Sequence, residues 1–114
     1  MPAIMALGMV LSVATAASAS LSCTGVSSAF RNGMETDQPD SHQIIVDLAN
    51  NKLTVDNQLM LIKNISDNRI DAVFDSAFRT ITVKLDPITG KVFIAMTFPT
   101  IDALVTFEGR CHPT

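Results

Sequence analysis

The sequence predicts an all-β domain: an up-and-down meander of about eight short antiparallel strands, closed or flattened into a small barrel. An open β-sandwich is the alternative. Three observations carry this expectation. Apolar and polar residues alternate through most of the chain beyond Ala19, turn-forming residues interrupt the alternation at short intervals, and no stretch there has the periodicity of an amphipathic helix.

The first segment stands apart. Met1–Ala19 is apolar, carries no charged side chain and ends in Ala17-Ser18-Ala19, the small-x-small pattern a signal peptidase accepts, although no Lys or Arg precedes the apolar run. Residues 1–19 are therefore expected to be a signal peptide, and residues 20–114 a single β domain that is periplasmic or secreted. Cys23 and Cys111 are the chain's 2 cysteines. In an exported protein such a pair predicts one disulfide, here joining the first and last strands where a barrel would close.

The elements follow in order. Leu21–Val26 reads as a short first strand. Ser27–Ser41 loses periodicity, holds Gly33 and Pro39 with Glu35, Asp37 and Asp40, and reads as a surface loop. Gln43–Val55 reads as a hairpin turning at Asn50-Asn51, which sets Ala49 opposite Lys52, Leu48 opposite Leu53 and Val46 opposite Val55. Gln58–Lys63 is apolar on both faces and is expected to be a central strand, followed by a turn over Asn64–Asn68 that contains the sequon Asn64-Ile65-Ser66. Arg69–Asp75 alternates, with Ile70, Ala72 and Phe74 on one face.

Phe78–Phe98 gives the firmest reading. Pro87 pre-sets φ in a turn that Gly90 closes, so Leu85 faces Val92, Val83 faces Ile94 and Ile81 faces Met96. Lys84, Thr82 and Thr80 fall on the other face opposite Phe93, Ala95 and Thr97, and are expected to be exposed. After a turn at Pro99–Asp102, Ala103, Val105 and Phe107 alternate with Thr106 and Glu108. The expected core is Val46, Leu48, Leu53, Val55, Ile70, Phe74, Ile81, Val83, Leu85, Val92, Ile94, Met96, Val105 and Phe107.

Composition and motifs narrow the function by exclusion. The net charge is -3, with 8 Lys+Arg against 11 Asp+Glu, and no basic cluster stands out along the chain. This argues against nucleic acid as a partner and against stable membrane insertion once a signal is cleaved. Only His42 and His112 could serve as an imidazole base; both are expected to be solvated rather than catalytic. No spacing suits zinc or calcium, Asp37, Asp40 and His42 offering at most a weak surface cation site. No cofactor and no enzymatic activity are expected. The candidate site is the acidic segment beside apolar and basic contact residues: Phe30, Arg31, Met34, Glu35, Asp37, Asp40 and His42.

Cys23-Thr24-Gly25, Asp86-Pro87-Ile88-Thr89-Gly90 and Phe107-Glu108-Gly109-Arg110-Cys111, with Ile65-Ser66-Asp67 between them, resemble a loose group of small exported bacterial proteins. Those proteins carry an early Cys-x-Gly, a late Asp-x-x-Thr-Gly turn and a C-terminal Gly-x-Cys, and are largely uncharacterised. The resemblance implies export and the disulfide-bearing β fold. Many of its members have a basic residue in the turn where this chain has Pro87 and Ile88. Periplasmic inhibitors of c-type lysozyme are disulfide-bearing barrels of similar size, but they act through a Ser-Gly-x-x-Tyr loop. This chain has 0 Tyr, so that activity maps onto none of its residues. The expectation is a non-catalytic binding or inhibitor-like module for a protein or small ligand of the cell envelope. The alternative is a structural or stress-related envelope protein without a discrete site.

Overall fold

The computed structural model describes Ser18–Thr114, so Met1–Ala17, most of the expected signal peptide, lies outside the described residues. Eight antiparallel strands run in sequence order around a closed barrel: β1 (Ala19–Arg31), β2 (Met34–Asp47), β3 (Lys52–Val55), β4 (Gln58–Ser66), β5 (Arg69–Asp75), β6 (Thr80–Leu85), β7 (Lys91–Phe98) and β8 (Ala103–Pro113). The meander closes where β8 pairs antiparallel with β1, and no strand crosses over another. β1 begins at Ala19, one residue before the expected domain boundary.

The β6–β7 hairpin has the register its sequence predicts, pairing Leu85 with Val92, Val83 with Ile94, Ile81 with Met96, and Lys84 with Phe93. Its turn is tied internally. Asp86 N donates to Lys91 O at 2.9 Å, and Asp86 Oδ1 accepts from the amides of Ile88 and Thr89. Gly90, at φ 83°, provides the left-handed residue that closes it.

The core fills the barrel with side chains from alternate positions. Of the expected core residues, Leu48, Phe74 and Met96 pack against the cluster from its edge and Val105 is half-buried, while the others are buried. Leu21, Ile44, Met60 and Ile62 join them. Lys84 is exposed as expected, but Thr80 and Thr82 are half-buried, because the outer faces of adjacent strands shelter short side chains.

The disulfide joins Cys23 to Cys111, with Cα atoms 3.9 Å apart in directly opposed positions of β1 and β8. Two residues along, Gly25 opposes Gly109. A Cβ at Gly25 would lie 2.0 Å from Glu108 O and 2.5 Å from Gly109 Cα. Cys-x-Gly and Gly-x-Cys are thus two halves of one antiparallel ladder, in which glycine permits the close approach that the disulfide pins. Cys111 N in turn donates to Gly90 O at 2.8 Å, bringing the Asp86–Gly90 turn against the same seam.

Four expectations need correction. The second hairpin pairs Asp47 with Lys52 and Val46 with Leu53, so its turn spans Leu48–Asn51 rather than Asn50-Asn51 alone. Asp47 decides this by accepting from the Asn50 amide and side chain, while Asn51 takes φ 58°. The slip is by two residues, so every side chain keeps its face. β4 is not apolar-buried on both sides: Met60 and Ile62 point inward, whereas Leu59 and Leu61 are 49% and 58% exposed. A single-layer barrel gives every strand one solvent face. β4 also extends to Ser66 through a bulge between Ile62 and Asn64, which shortens the expected Asn64–Asn68 turn to Asp67-Asn68. The fourth correction concerns the supposed surface loop.

Candidate functional site

Ser27–Ser41 is not a loop. It forms the upper halves of β1 and β2, joined by Asn32-Gly33, both at positive φ (55° and 78°). That is a type I′ turn, whose twist matches that of two antiparallel strands. Asn-Gly is the strongest local hairpin signal a sequence can carry. It is hidden here because the flanking strands are polar on both faces and lack the alternation that marks a half-buried strand.

The two strands form the outer margin, here called the arm, of a taller wall in which β8 also pairs with β1 up to Arg31 opposite Ala103. β2 pairs with β3 only over Ile44–Asp47, while it pairs with β1 from Met34 to Val46. Strands of 13 and 14 residues, rising about 3.3–3.4 Å per residue, account for the molecule's 47 Å long dimension. From Met34 to Gln43 the far side of β2 therefore meets no strand among the described residues.

The hydrogen bonds left over can be assigned from the register. Arg31 and Met34 flank a two-residue turn and form a hydrogen-bonded pair, and such pairs recur at every second position. Met34, Thr36, Gln38, Asp40 and His42 thus turn their backbone groups toward β1. Glu35, Asp37, Pro39, Ser41 and Gln43 turn theirs outward. Gln43 is satisfied by Asp56, whose Oδ1 accepts from Gln43 N and whose N donates to Gln43 O. The Ser41 amide donates to Asp40 Oδ1. The N–H and C=O of Glu35 and Asp37, with the carbonyls of Pro39 and Ser41, remain as an open edge.

The residues named from sequence divide between the two ends of this arm. Phe30, Arg31, Met34, Glu35 and Asp37 are exposed near the tip, with Phe30 directly opposite Glu35. Glu35 and Asp37 share the outer face. A hydrogen bond to the Asp37 carboxyl, and then its charge, raises the Glu35 pKa above the ordinary glutamate value. Two acidic side chains are thus held side by side on the open edge.

Asp40 and His42 instead turn toward the barrel mouth. Ser27 Oγ donates to Asp40 Oδ2 at 2.5 Å, and His42 Nε2 lies 3.0 Å from the same oxygen. His42 Nδ1 meets Asp56 Oδ2 at 2.5 Å, and the ring packs edge-on against buried Phe107 with centroids 4.5 Å apart. The hydrogen bond from Ser27 is the main cause that lowers the Asp40 pKa below the usual aspartate value. His42 is therefore a clamp between β2, the β3–β4 turn and the core, not a solvated side chain. Asp56, in the turn between β3 and β4 and near no sequence motif, completes the clamp.

Within this cluster Ser27 gives its hydrogen bond to Asp40 rather than to His42. Asp37 points to the opposite face from Asp40 and His42, which removes the weak cation site. His112 is exposed near the chain's end.

A small closed β-barrel with one strand edge left open is the class this geometry defines. Compared with protein-family models, with curated proteins and with solved structures, the chain finds no match.

Proposed function

We propose that the domain is a non-catalytic binding module that captures an extended, basic segment of an envelope partner along β2. One observation carries the reading: the ten-residue edge from Met34 to Gln43 lacks a strand partner among the described residues. Open edges template pairing with other chains, and β-augmentation uses them for recognition. Glu35 and Asp37 on the outer face select a strand with Lys or Arg at alternate positions, since opposite charges on neighbouring strands attract across one face. Pro39 and the like charges disfavour pairing with a second copy of the same edge. Exposed Ile45 and Leu59, beside the base of the arm, extend the contact surface with apolar area. The disulfide suits an oxidising compartment, and periplasmic or secreted residence fits the apolar leader of the sequence.

The test is titration with a synthetic peptide alternating Lys with Thr or Val, followed by fluorescence anisotropy at two salt concentrations. Saturable, salt-sensitive binding is expected, lost on Asp37→Pro, which removes an edge donor, and weakened in Glu35→Gln/Asp37→Asn. N-methylation of the peptide's alternate amides should abolish it. Equal binding of the methylated peptide would refute edge capture. Absence of any binding would favour the structural alternative.

A further inference from the structure

The fold assembles a basic groove that the linear sequence conceals. Among its 8 Lys+Arg, the chain places Arg69, Lys84, Lys91 and Arg110 around one groove of about 680 Å³ on the barrel wall. They come from four consecutive strands, β5 to β8, so no stretch of sequence holds them together. The groove lies at the end of the barrel that carries the Asp67-Asn68 and Asp86–Gly90 turns, opposite the Asn32-Gly33 tip of the acidic arm.

Three of these cations lack a carboxylate partner among the described residues, although Arg110 Nη1 donates to Thr89 O at 3.3 Å. Arg69 Nε pairs with Asp71 at 2.9 Å, but Lys84, Lys91 and Arg110 have no salt bridge among the described residues. Lys91 and Arg110 are directly opposed on β7 and β8, both exposed on the outer face. Like charges in that relation repel, and an anion between them would remove the repulsion. Of the groove's two carboxylates, Asp86 already accepts from two amides of its own turn, which leaves Glu108. Phe93 sits at the centre of the arrangement. It faces Lys84 on one side and Glu108 on the other, with Arg110 its diagonal neighbour on β8 and Lys91 two residues away on the same face of β7.

We infer that this groove binds a sugar ring bearing phosphate or sulfate groups. The ring would lie against the Phe93 side chain, with its hydroxyls toward Glu108 and its anionic groups toward Lys84 and the Lys91–Arg110 pair. Arg and Lys suit these oxyanions by charge-assisted hydrogen bonding, and an open groove admits a saccharide from the side. This site is independent of the β2 edge.

The experiment is calorimetric titration of the whole domain with glucose 1,6-bisphosphate, alongside glucose and inorganic phosphate. The bisphosphate should bind saturably and more tightly than phosphate, with no heat from glucose. Lys91→Ala/Arg110→Ala should weaken it about tenfold or more, and higher salt should do the same to the unaltered protein. Phe93→Ala should weaken the bisphosphate several-fold while leaving phosphate unchanged. Lys63→Ala, an exposed change on β4 outside the groove, is the control, and melting curves verify that each variant is folded. Equal loss in Lys63→Ala, or no effect of Phe93→Ala, would overturn the inference. So would tighter capture by phosphatidylglycerol vesicles, which offer phosphate without a sugar ring. Self-association of the protein that Lys91→Ala/Arg110→Ala abolishes would assign the groove to the acidic arm of a second copy instead.

Discussion

Gly25→Ala tests the seam that closes the barrel. The added methyl would meet Glu108 O at 2.0 Å, Gly109 Cα at 2.5 Å and Glu108 C at 2.8 Å, all backbone atoms. No rotamer change relieves such contacts, and the disulfide two residues away holds the strands at 3.9 Å between Cα atoms. The strands must part by about an ångström, so the cost should reach the upper end of overpacking, about 3 kcal/mol. For a domain of this size that lowers the melting temperature by about 12–24 °C, read by circular dichroism. Gly33→Ala is the comparison. Nothing lies within 4 Å of a Cβ there, but φ is +78°, so backbone strain alone costs about 1–2 kcal/mol. If Gly25→Ala were the milder of the two, the close approach of β1 and β8 would be wrong.

Replacing both Cys23 and Cys111 by Ala removes a crosslink spanning 88 residues, which should cost up to about 4.5 kcal/mol in urea denaturation. Val83→Ala, in the centre of the barrel, should cost about 1–3 kcal/mol and half-buried Thr82→Ala clearly less; equal costs would contradict the β6 register. Asp40 has a depressed pKa, so the unfolded chain binds its proton at higher pH than the folded one. Its contribution is complete above the ordinary aspartate pKa of about 3.9 and is lost as pH falls through the lower folded value. Ser27→Ala should flatten that acid limb, measured as stability between neutral and acidic pH; an unchanged limb would remove the Ser27–Asp40 bond from the account. Glu35 has the opposite shift and loses its charge earlier on acidification than an ordinary glutamate. Capture of the alternating lysine peptide should therefore begin to weaken at a pH above the ordinary glutamate range.

Much of the barrel was legible because its strands bury one face. Ile81, Val83 and Leu85 against Val92, Ile94 and Met96 leave one workable register once Pro87 and Gly90 define the turn. At the Asn51 hairpin the sequence implies the right faces and the wrong pairing, since hydrophobic alternation fixes parity but not the length of a turn that Asp47 caps. The arm is hidden in the sequence for the converse reason. From Thr36 to Pro39 both faces of β2 are exposed, so no burial pattern exists to betray a strand, and only Asn32-Gly33 marked it. The residues of the expected site all lie on β1 and β2, but their division into an acidic edge and an inward clamp needs the third dimension. Asp56 and the groove around Phe93 follow from pairing between distant strands and left no local trace.

The open edge of β2 can be measured directly by amide hydrogen exchange, followed residue by residue by NMR. Slow exchange is expected at Thr36 and Gln38, whose amides face β1, and fast exchange at Glu35 and Asp37, whose amides face solvent. Saturating alternating lysine peptide should then protect Glu35 and Asp37 while leaving Thr36 and Gln38 unchanged. Protection of Glu35 and Asp37 in the free protein, or fast exchange at all four positions, would contradict the open edge.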